Sequence, residues 1–297
     1  MIKNETKKQF HKINLHILEI CNYKCEHCFA HFDSKKILTE KEWEKIVDNC
    51  IENTDVEEFN IAGGEPLLYK DLMKLVKYIH KKGKLISIIT NGSLISDLWI
   101  EENAKYFTTI GFSIDSFDKD TLLKQGRHNN QKYVSKEHFE KICEKIKEIN
   151  PNCKIKINTV VTKHNLHENL GYIINTLPIS RWKILKMDIF QTDLFDNSKI
   201  LTTNEEYTNF LKENLKSINN VKLVKKTEHC KNYSTEFGEI ICEQDLKATY
   251  VMIDSNGYLV DDSLNNNYTK VCNCLTENIQ NGLEKLNFDE ETYNMRY

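Results

Sequence analysis

The sequence contains few of the residues that break regular structure, with only 10 glycines and 3 prolines among 297 residues. The sequence also has no internal repeat and no long low-complexity tract. No apolar run approaches the roughly 20 residues that span a bilayer, so we expect no membrane partner. The net charge is −3 with both signs interspersed, and the lack of a basic stripe argues against a nucleic-acid partner.

The chain also lacks an apolar leader, since residues 1–11, MIKNETKKQFH, are polar and basic and predict an N-terminal tail. Ten cysteines without a secretory leader indicate a reducing, cytoplasmic location, where free thiols and iron–sulfur ligands are expected rather than disulfides. A chain of this length can form one large domain with a full core, or a domain with a small extension. We expect it to act as a monomer.

Three of the ten cysteines are clustered near the start of the chain, in the run CNYKCEHCF. Cys21, Cys25 and Cys28 have the spacing C-x3-C-x2-C and follow an alternating apolar stretch that predicts a strand. Most [4Fe–4S] clusters are held by four thiolates, so three thiolates leave one iron open to a small molecule. A zinc site is the alternative, with His27 or His31 as a further ligand. The spacing favours the cluster.

A second motif follows the run FNIA, which is typical of a buried strand and leads directly into Gly63, Gly64, Glu65 and Pro66. Two glycines allow the backbone to pass close to a ligand, and the glutamate puts a single negative charge on the loop. The proline fixes the direction in which the chain leaves. In a chain with so few glycines and prolines, this cluster indicates a functional loop rather than an ordinary turn.

Strand-like and helix-like segments alternate over the first 220 residues. The predicted strands cover 13–20, 57–62, 85–90, 108–114, 154–161 and 181–187. The predicted helices cover 39–52, 69–82, 95–106, 135–149, 165–176 and 204–218. We therefore predict an α/β fold, a partial (β/α)6 TIM-like barrel at 12–220 whose site lies on the loops after the strands. Residues 221–297 are predicted to be a C-terminal extension that contains a β-hairpin near 250–260 and closes the active site.

Two of the predicted strands carry cations on one face. Along KIKINTVV, Lys156 and Asn158 alternate with apolar residues, so the apolar set packs on helices and the polar set faces the barrel lumen. Arg181 and Lys183 alternate with apolar residues in the same way. Buried cations need an anion, and three of them predict a polyanion, with a triphosphate as the natural fit. The alternative is that Arg181 and Lys183 cap the solvated end of their strand.

Taken together, the cysteine run and the Gly-Gly-Glu-Pro loop resemble those of the radical S-adenosylmethionine (SAM) enzymes. The resemblance narrows to viperin and its prokaryotic relatives through the further runs TNGSLISDLW, SIDSFD, KINTVV, RWK and YVMID, and it covers about residues 12–260. It implies a [4Fe–4S] cluster, SAM, an external electron donor of the flavodoxin or ferredoxin type, and dehydration of a nucleoside triphosphate. With CTP, ahead of UTP, the implied product is 3′-deoxy-3′,4′-didehydro-CTP, a terminator of viral RNA synthesis that serves antiviral defence.

The resemblance also implies roles for single residues. Six residues match cofactor-binding positions: Gly63, Gly64, Glu65, Asn91, Ser113 and Arg127. The glycines and the glutamate would hold the amino group of SAM, the arginine its carboxylate, and the asparagine and serine its ribose or methionine part. Four residues match substrate-binding positions: Lys156, Asn158, Arg181 and Lys183. Tyr250 and Lys156 are assigned to catalysis, and the tyrosine matches one that supplies a hydrogen atom late in the reaction.

The sequence departs from the family at several places, and other functions stay open. His27 stands where the family usually has a phenylalanine near the adenine, and Ala62 replaces a serine before the glycine pair. After Arg127, a glycine- and lysine-rich run becomes HNNQK. One alternative is a peptide-modifying radical SAM enzyme with extra clusters on its later cysteines, although the expected spacings are absent. Another alternative is a nucleotide sensor that binds its ligand without turnover.

Overall fold

The computed structural model describes residues 10–31, 34, 36–192, 195–245, 247–263 and 268–295. The predicted tail at residues 1–11 lies outside this part of the chain except for its last two residues. Of these, Phe10 is buried against Phe288 and Tyr293 near the C-terminal end of the chain. The described chain therefore begins in the core.

Fourteen strands are present in the described ranges. They are β1 (Lys12–His16), β2 (Glu58–Ala62), β3 (Leu85–Thr90), β4 (Thr109–Ser113), β5 (Lys154–Val161), β6 (Arg181–Lys186), β7 (Gln191–Thr192), β8 (Phe195–Asp196), β9 (Lys222–Lys226), β10 (Cys230–Ser234), β11 (Glu239–Glu243), β12 (Met252–Ile253), β13 (Tyr258–Asp261) and β14 (Thr269–Asn273). Twelve of them form one sheet in the order β14-β13-β12-β1-β2-β3-β4-β5-β6-β11-β10-β9, and β7 pairs with β8. The eight strands from β12 to β11 all pair in parallel.

Nine α-helices are found in the same ranges. They are α1 (Glu40–Asn53), α2 (Leu72–Lys81), α3 (Asp97–Asn103), α4 (Lys119–Lys124), α5 (Lys136–Ile149), α6 (Leu170–Ile174), α7 (Asn204–Lys216), α8 (Ile279–Leu283) and α9 (Glu290–Asn294). The sequence supplies their starts, since Thr39 and Thr203 form capping boxes with Glu42 and Glu206. Within the described residues, every helix is too short or too polar to cross a membrane.

The main core lies between the sheet and these helices. On β5, Ile155 and Ile157 are fully buried on the helix side, while Lys156 and Asn158 are only partly buried on the other side. On β6, Trp182 lies on the helix side and donates from Nε1 to Thr159 Oγ1 at 2.9 Å. The alternation predicted for these strands is therefore present, and it sends their polar side chains to the inner face of the sheet.

The α/β fold and the open, partial barrel are confirmed, with differences in detail. The predicted helix at 165–176 shortens to α6, because Asn165 binds the backbone of Thr162 and Asp115 and holds the preceding segment in turns. The predicted hairpin near 250–260 is present as β12 and β13. Strands β9 to β11 were not predicted. For β9, with the sequence KLVKK, the reason is that the strand is fully exposed and has no apolar alternation. The division of the chain at residue 220 stays a prediction.

Candidate active site

The three clustered cysteines lie on the loop that leaves β1, at the C-terminal edge of the parallel strands. Cys21, Cys25 and Cys28 are free thiols with partly exposed side chains. The segment after α4 braces this loop, since Lys24 N donates to Gly126 O at 3.2 Å. Gly126 has φ +70°, and a side chain there would collide with the carbonyl of Lys24. Glycine is therefore required for this approach of the two segments.

Burial raises the pKa of all three thiols, to about 12 at Cys25. In the described part of the chain, no three His, Cys, Asp or Glu side chains converge closely enough to hold a single metal ion. A cluster needs a different arrangement, because each thiolate binds a different iron atom. Three thiols on one short loop supply that set of donors, and binding to iron would replace their protons.

The Gly-Gly-Glu-Pro loop leaves β2 and lies directly against the chain that enters the cysteine loop. Gly64 N donates to Leu18 O at 2.7 Å, and Glu65 N donates to Ile20 O at 2.9 Å. A side chain at Gly64 would collide with the backbone of Ile20, and one at Gly63 would collide with that of Leu18. This contact brings the two loops together as a cradle of backbone, which fits a bound cofactor.

The carboxylate of Glu65 is fully buried and is held by three donors. They are Thr90 Oγ1 at 2.7 Å, Asn91 N at 2.8 Å and Leu67 N at 3.1 Å. Burial raises the pKa of Glu65, against the lowering effect of these hydrogen bonds. Because a carboxylate has about four acceptor sites, most of its capacity is used within the protein. Its contact with the amino group of SAM stays a prediction.

Asn91 and Ser113 lie at the ends of β3 and β4, on the same edge as the cysteines. Asn91 Nδ2 donates to Asn22 Oδ1 at 2.9 Å and lies 3.9 Å from Cys21 Sγ. Ser113 is paired in register with Asn158 on β5. The structure brings both residues to the predicted cofactor edge, and their contacts with SAM stay predictions.

Arg127 lies beside the cysteine loop in a buried polar cluster with Asp115 and His27. Arg127 Nε donates to Asp115 Oδ2, and His27 Nε2 lies 3.1 Å from both Arg127 Nη2 and Asp115 Oδ2. Asp115 also accepts from Val160 N at 2.7 Å. Burial alone would raise the pKa of Asp115, but the Arg127 charge and these hydrogen bonds hold it well below its usual range. Arg127 is therefore held in place by an ion pair with Asp115, and its contact with the carboxylate of SAM stays a prediction.

The predicted triphosphate residues face the lumen from two neighbouring strands. The register of β5 and β6 pairs Lys156 with Arg181 and Asn158 with Lys183. Since parallel strands rise about 3.3 Å per residue, the first pair lies about 7 Å farther from the cysteine edge than the second. Burial, together with the charges of Lys183, Lys12 and Arg181, holds the pKa of Lys156 well below its usual range.

Strand β11 supplies two carboxylates to these cations. Arg181 forms an ion pair with Glu239, and Lys183 forms one with Glu243. Among the described residues, no carboxylate forms an ion pair with Lys156. Arg181 and Lys183 thus each have a protein counterion, whereas Lys156 forms no ion pair with a carboxylate in this part of the chain.

Tyr250 reaches the same place from the segment before β12. Its hydroxyl donates to Glu243 Oε2 at 2.8 Å and accepts from Lys183 Nζ. The ammonium of Lys183 also lies 4.8 Å from the centre of the Tyr250 ring. The structure therefore brings the predicted catalytic tyrosine together with a predicted substrate ligand.

Two cavities of about 280 and 230 Å³ lie at the N-terminal end of the strands. Both are lined by Thr109, Lys154, Lys156 and Arg181, three of which are the first residues of their strands. Cations therefore lie on the inner faces of β5 and β6 from the level of Lys183 down to this end, and Glu239 and Glu58 each line one of the two cavities with them.

Sequence reasoning missed a polar chain across β1, β2 and β3. Asn60 Nδ2 donates to Asn14 Oδ1 and Ser87 Oγ donates to Asn60 Oδ1, both at 2.8 Å, and all three residues are buried. The available signal was one polar residue in each otherwise apolar strand. It also missed Glu239 and Glu243, for which the sequence carries no comparable signal.

Residues 15–177 match the family described as the Radical SAM superfamily. The chain belongs to the radical SAM superfamily. Its relatives include a protein named S-adenosylmethionine-dependent nucleotide dehydratase from Selenomonas ruminantium, 36% identical over 97% of this chain and 98% of the relative. A protein of the same name from Fibrobacter sp. (strain UWH6) is 33% identical over 96% of this chain and 87% of the relative.

Two solved structures have a fold similar to that of this chain. Streptococcus suis SuiB bound to S-adenosylmethionine has a TM-score of 0.63 and 19% identity, covering 97% of this chain and 68% of that one. Native anSMEcpe with bound AdoMet and Cp18Cys peptide has a TM-score of 0.62 and 16% identity, covering 95% of this chain and 83% of that one. At these identities the likeness concerns the fold alone.

The radical SAM family confirms the predicted cofactors, a [4Fe–4S] cluster and SAM. The three cysteines fit the family motif C-x3-C-x2-C, and this excludes the zinc alternative. The backbone cradle and the set of three thiols are what these cofactors require. Which single residues contact SAM and the substrate stays a prediction.

Proposed function

We propose that this radical SAM enzyme is a nucleotide dehydratase that acts on a nucleoside triphosphate, with CTP first and UTP second. The observation that carries the proposal is the set of three cations on the inner face of β5 and β6, Lys156, Arg181 and Lys183. Relatives at 36% and 33% identity are named for nucleotide dehydration, and the likeness spans nearly the whole chain.

The arrangement of charge supports a triphosphate over a nucleoside. Three cations on adjacent strands, two of them paired directly in register, offer several charge-assisted hydrogen bonds to a chain of phosphates. Asn158 and Lys183 lie nearer the cysteine edge than Lys156 and Arg181. A nucleotide with its phosphates in the deep part of the lumen would therefore hold its ribose toward the cofactor edge.

Held by Cys21, Cys25 and Cys28 and by the Gly-Gly-Glu-Pro loop, the cluster and SAM would supply the radical chemistry for removing the hydrogen atom from C4′ of the ribose. The protein holds C4′ in one place by anchoring the phosphates on Lys156, Arg181 and Lys183. The 3′-hydroxyl must take up a proton to leave as water, and the Tyr250 hydroxyl or a water that it holds is our candidate donor. With that one proton, one electron from an external flavodoxin or ferredoxin completes the product. We further propose that the extension at 221–297 closes this site, because it supplies Glu243 and Tyr250.

The product has no 3′-hydroxyl and cannot be extended by a polymerase. We therefore propose that it terminates viral RNA synthesis and that the protein acts in antiviral defence in the cytoplasm. The solved structure with a bound peptide does not favour the peptide-modifying alternative, because an identity of 16% carries the fold and not the substrate.

The test is anaerobic turnover of the reconstituted enzyme with each of the four nucleoside triphosphates, and with CMP and cytidine. We expect a product that is one water lighter from CTP, less from UTP, and little from the monophosphate or nucleoside. With CTP deuterated at C4′, deuterium should appear in 5′-deoxyadenosine. Deuterium transfer from another ribose position, or equal turnover of cytidine and CTP, would contradict the proposal.

A further inference from the structure

Glu243, the last residue of β11, joins two residues of the proposed site that come from different parts of the chain. Its side chain is fully buried. One carboxylate oxygen forms an ion pair with Lys183 on β6, and the other accepts from the Tyr250 hydroxyl at 2.8 Å. Because Lys183 also contacts that hydroxyl, the three side chains form a closed triangle.

The backbone of Glu243 is fixed independently of this triangle. Glu243 is paired with Leu185 in the register of β11 and β6. Its backbone carbonyl accepts a hydrogen bond from Tyr207 Oη at 3.1 Å. The same Tyr207 hydroxyl donates to Ile184 O at 2.9 Å on β6. The carboxylate is thus presented from a rigid strand end, as an element that positions other groups should be.

The triangle of Glu243, Lys183 and Tyr250 lies near the cysteine edge of the lumen. Lys183 is paired in register with Asn158, which is itself paired with Ser113 at the end of β4. This level is nearer the cysteine edge than the level of Lys156 and Arg181. Because the phosphates are proposed to extend from Lys183 down to Lys156 and Arg181, the triangle stands at the upper end of the phosphate chain, where the ribose begins.

We propose that Glu243 is a positioning residue, which holds the Tyr250 hydroxyl and the Lys183 ammonium together against the ribose of the bound nucleotide. This inference rests on the proposed nucleotide dehydratase function. Glu243 also offsets part of the charge of Lys183, so it weakens the pull of that lysine on phosphate while fixing its place. Glu243 thus favours correct completion of the reaction at the expense of substrate affinity.

Two substitutions separate these effects, and the chain offers a matched control. Glu243→Ala removes both the charge and the acceptor for Tyr250, whereas Glu243→Gln removes the charge and keeps an oxygen for the phenol. Glu239→Gln is the control, because Glu239 pairs with Arg181 in the same way but contacts neither Lys183 nor Tyr250 in the described structure. The readouts are the KM for CTP and the ratio of dehydrated nucleotide to 5′-deoxyadenosine.

We expect both Glu243 variants to lower the KM for CTP, by about two- to fivefold, because each removes the buried charge that opposes the attraction of Lys183 for phosphate. In Glu243→Ala the product ratio should fall by about tenfold or more, since small misplacements of a reacting group cost that much. Glu243→Gln should recover most of the ratio. Glu239→Gln should change KM without changing the ratio. A purely structural role would instead raise KM and leave the ratio alone.

A double variant tests the coupling between the two residues directly. If Glu243 acts through Tyr250, then Tyr250→Phe with Glu243→Ala should have the same ratio as Tyr250→Phe alone. Should Glu243→Ala fail to fold, an unchanged or raised KM in Glu243→Gln would overturn the inference. An unchanged ratio in a folded Glu243→Ala, an equal fall in Glu239→Gln, or losses that multiply in the double variant would overturn the inference and leave the proposed function standing. A loaded wild-type enzyme that dehydrates none of the four triphosphates would overturn both.

Discussion

Lys156 is the residue whose replacement should change substrate affinity and protein stability in opposite directions. In the described part of the chain its ammonium forms no ion pair with a carboxylate, and the nearby charges of Lys183, Lys12 and Arg181 outweigh that of Glu243. Replacing it with methionine keeps most of the side-chain volume and removes the charge. The free protein should become more stable, while a bound triphosphate should lose its deepest anchor.

The magnitudes follow from the environment of the side chain. A charge-assisted hydrogen bond to phosphate is worth about 1.5–3 kcal/mol, so we expect a roughly 10- to 150-fold loss of CTP affinity. Each unit by which burial lowers the pKa of Lys156 costs the folded state about 1.4 kcal/mol. Because the side chain lines a cavity and is only partly buried, water reduces this cost, and we expect a gain of about 1–3 kcal/mol from Lys156→Met.

The stability gained by Lys156→Met should also depend on pH, in a direction that the lowered pKa of Lys156 determines. The folded pKa is lowered, so the penalty is fully present below that pKa, where both the folded and the unfolded states carry the proton. It shrinks as the pH rises and vanishes above the ordinary lysine pKa of about 10.4, where both states are neutral. The stability gained by Lys156→Met should therefore be larger at about pH 6 than at about pH 9.

The assays are calorimetric titration with CTP and thermal unfolding at two pH values. Lys154→Met is the matched control, since Lys154 lines the same cavities but is exposed. An exposed pair contributes about 0.2–1 kcal/mol, so this control should lose at most about fivefold in affinity and gain no stability. Equal losses in the two variants, or a Lys156→Met protein that unfolds at a lower temperature, would refute the reasoning.

Two further predictions concern the cofactor edge. Replacing Cys21, Cys25 and Cys28 together with alanine should abolish iron binding, whereas Cys50→Ala should retain it; iron content and the visible spectrum measure both, and full iron in the triple variant would contradict the assignment. Arg127→Ala should weaken SAM binding by about 10- to 150-fold through loss of one charged contact. Unchanged SAM affinity in an Arg127→Ala protein that keeps its cluster would remove that role.

The inner faces of β5 and β6 could be predicted from the sequence because strand alternation is a local property. Lys156 and Asn158 lie at alternate positions of β5, and Ile155 and Ile157 lie at the positions between them. Once the segment was recognised as a strand, the face of the sheet on which each side chain lies followed from this alternation. The carboxylates that meet these cations could not be predicted. Glu239 is paired with Arg181 at a distance of 58 residues along the chain, and no local pattern encodes that register.

The contacts of His27 could likewise not be predicted from the sequence. The sequence identified an unusual residue between two cysteines, but it could not show that the imidazole lies between Asp115 and Arg127. Asp115 follows β4 by two residues and Arg127 follows α4, so the cluster depends on how three loops meet at one edge. Loops of this kind carry function because the strands hold their ends in place.

The extension changes the barrel itself, and the position of Tyr250 follows from this. Six parallel strands were predicted, but β11 adds to β6 and β12 adds to β1, so eight parallel strands surround the lumen. Tyr250 precedes β12 at one side of this parallel set, and Glu243 ends β11 at the other side. Their hydrogen bond at 2.8 Å joins the end of β11 to the segment before β12, across the opening of the barrel. The contact that completes the proposed site therefore spans this opening at the level of Lys183. A nucleotide bound there would touch both sides of the opening, so substrate binding and this contact should stabilise each other.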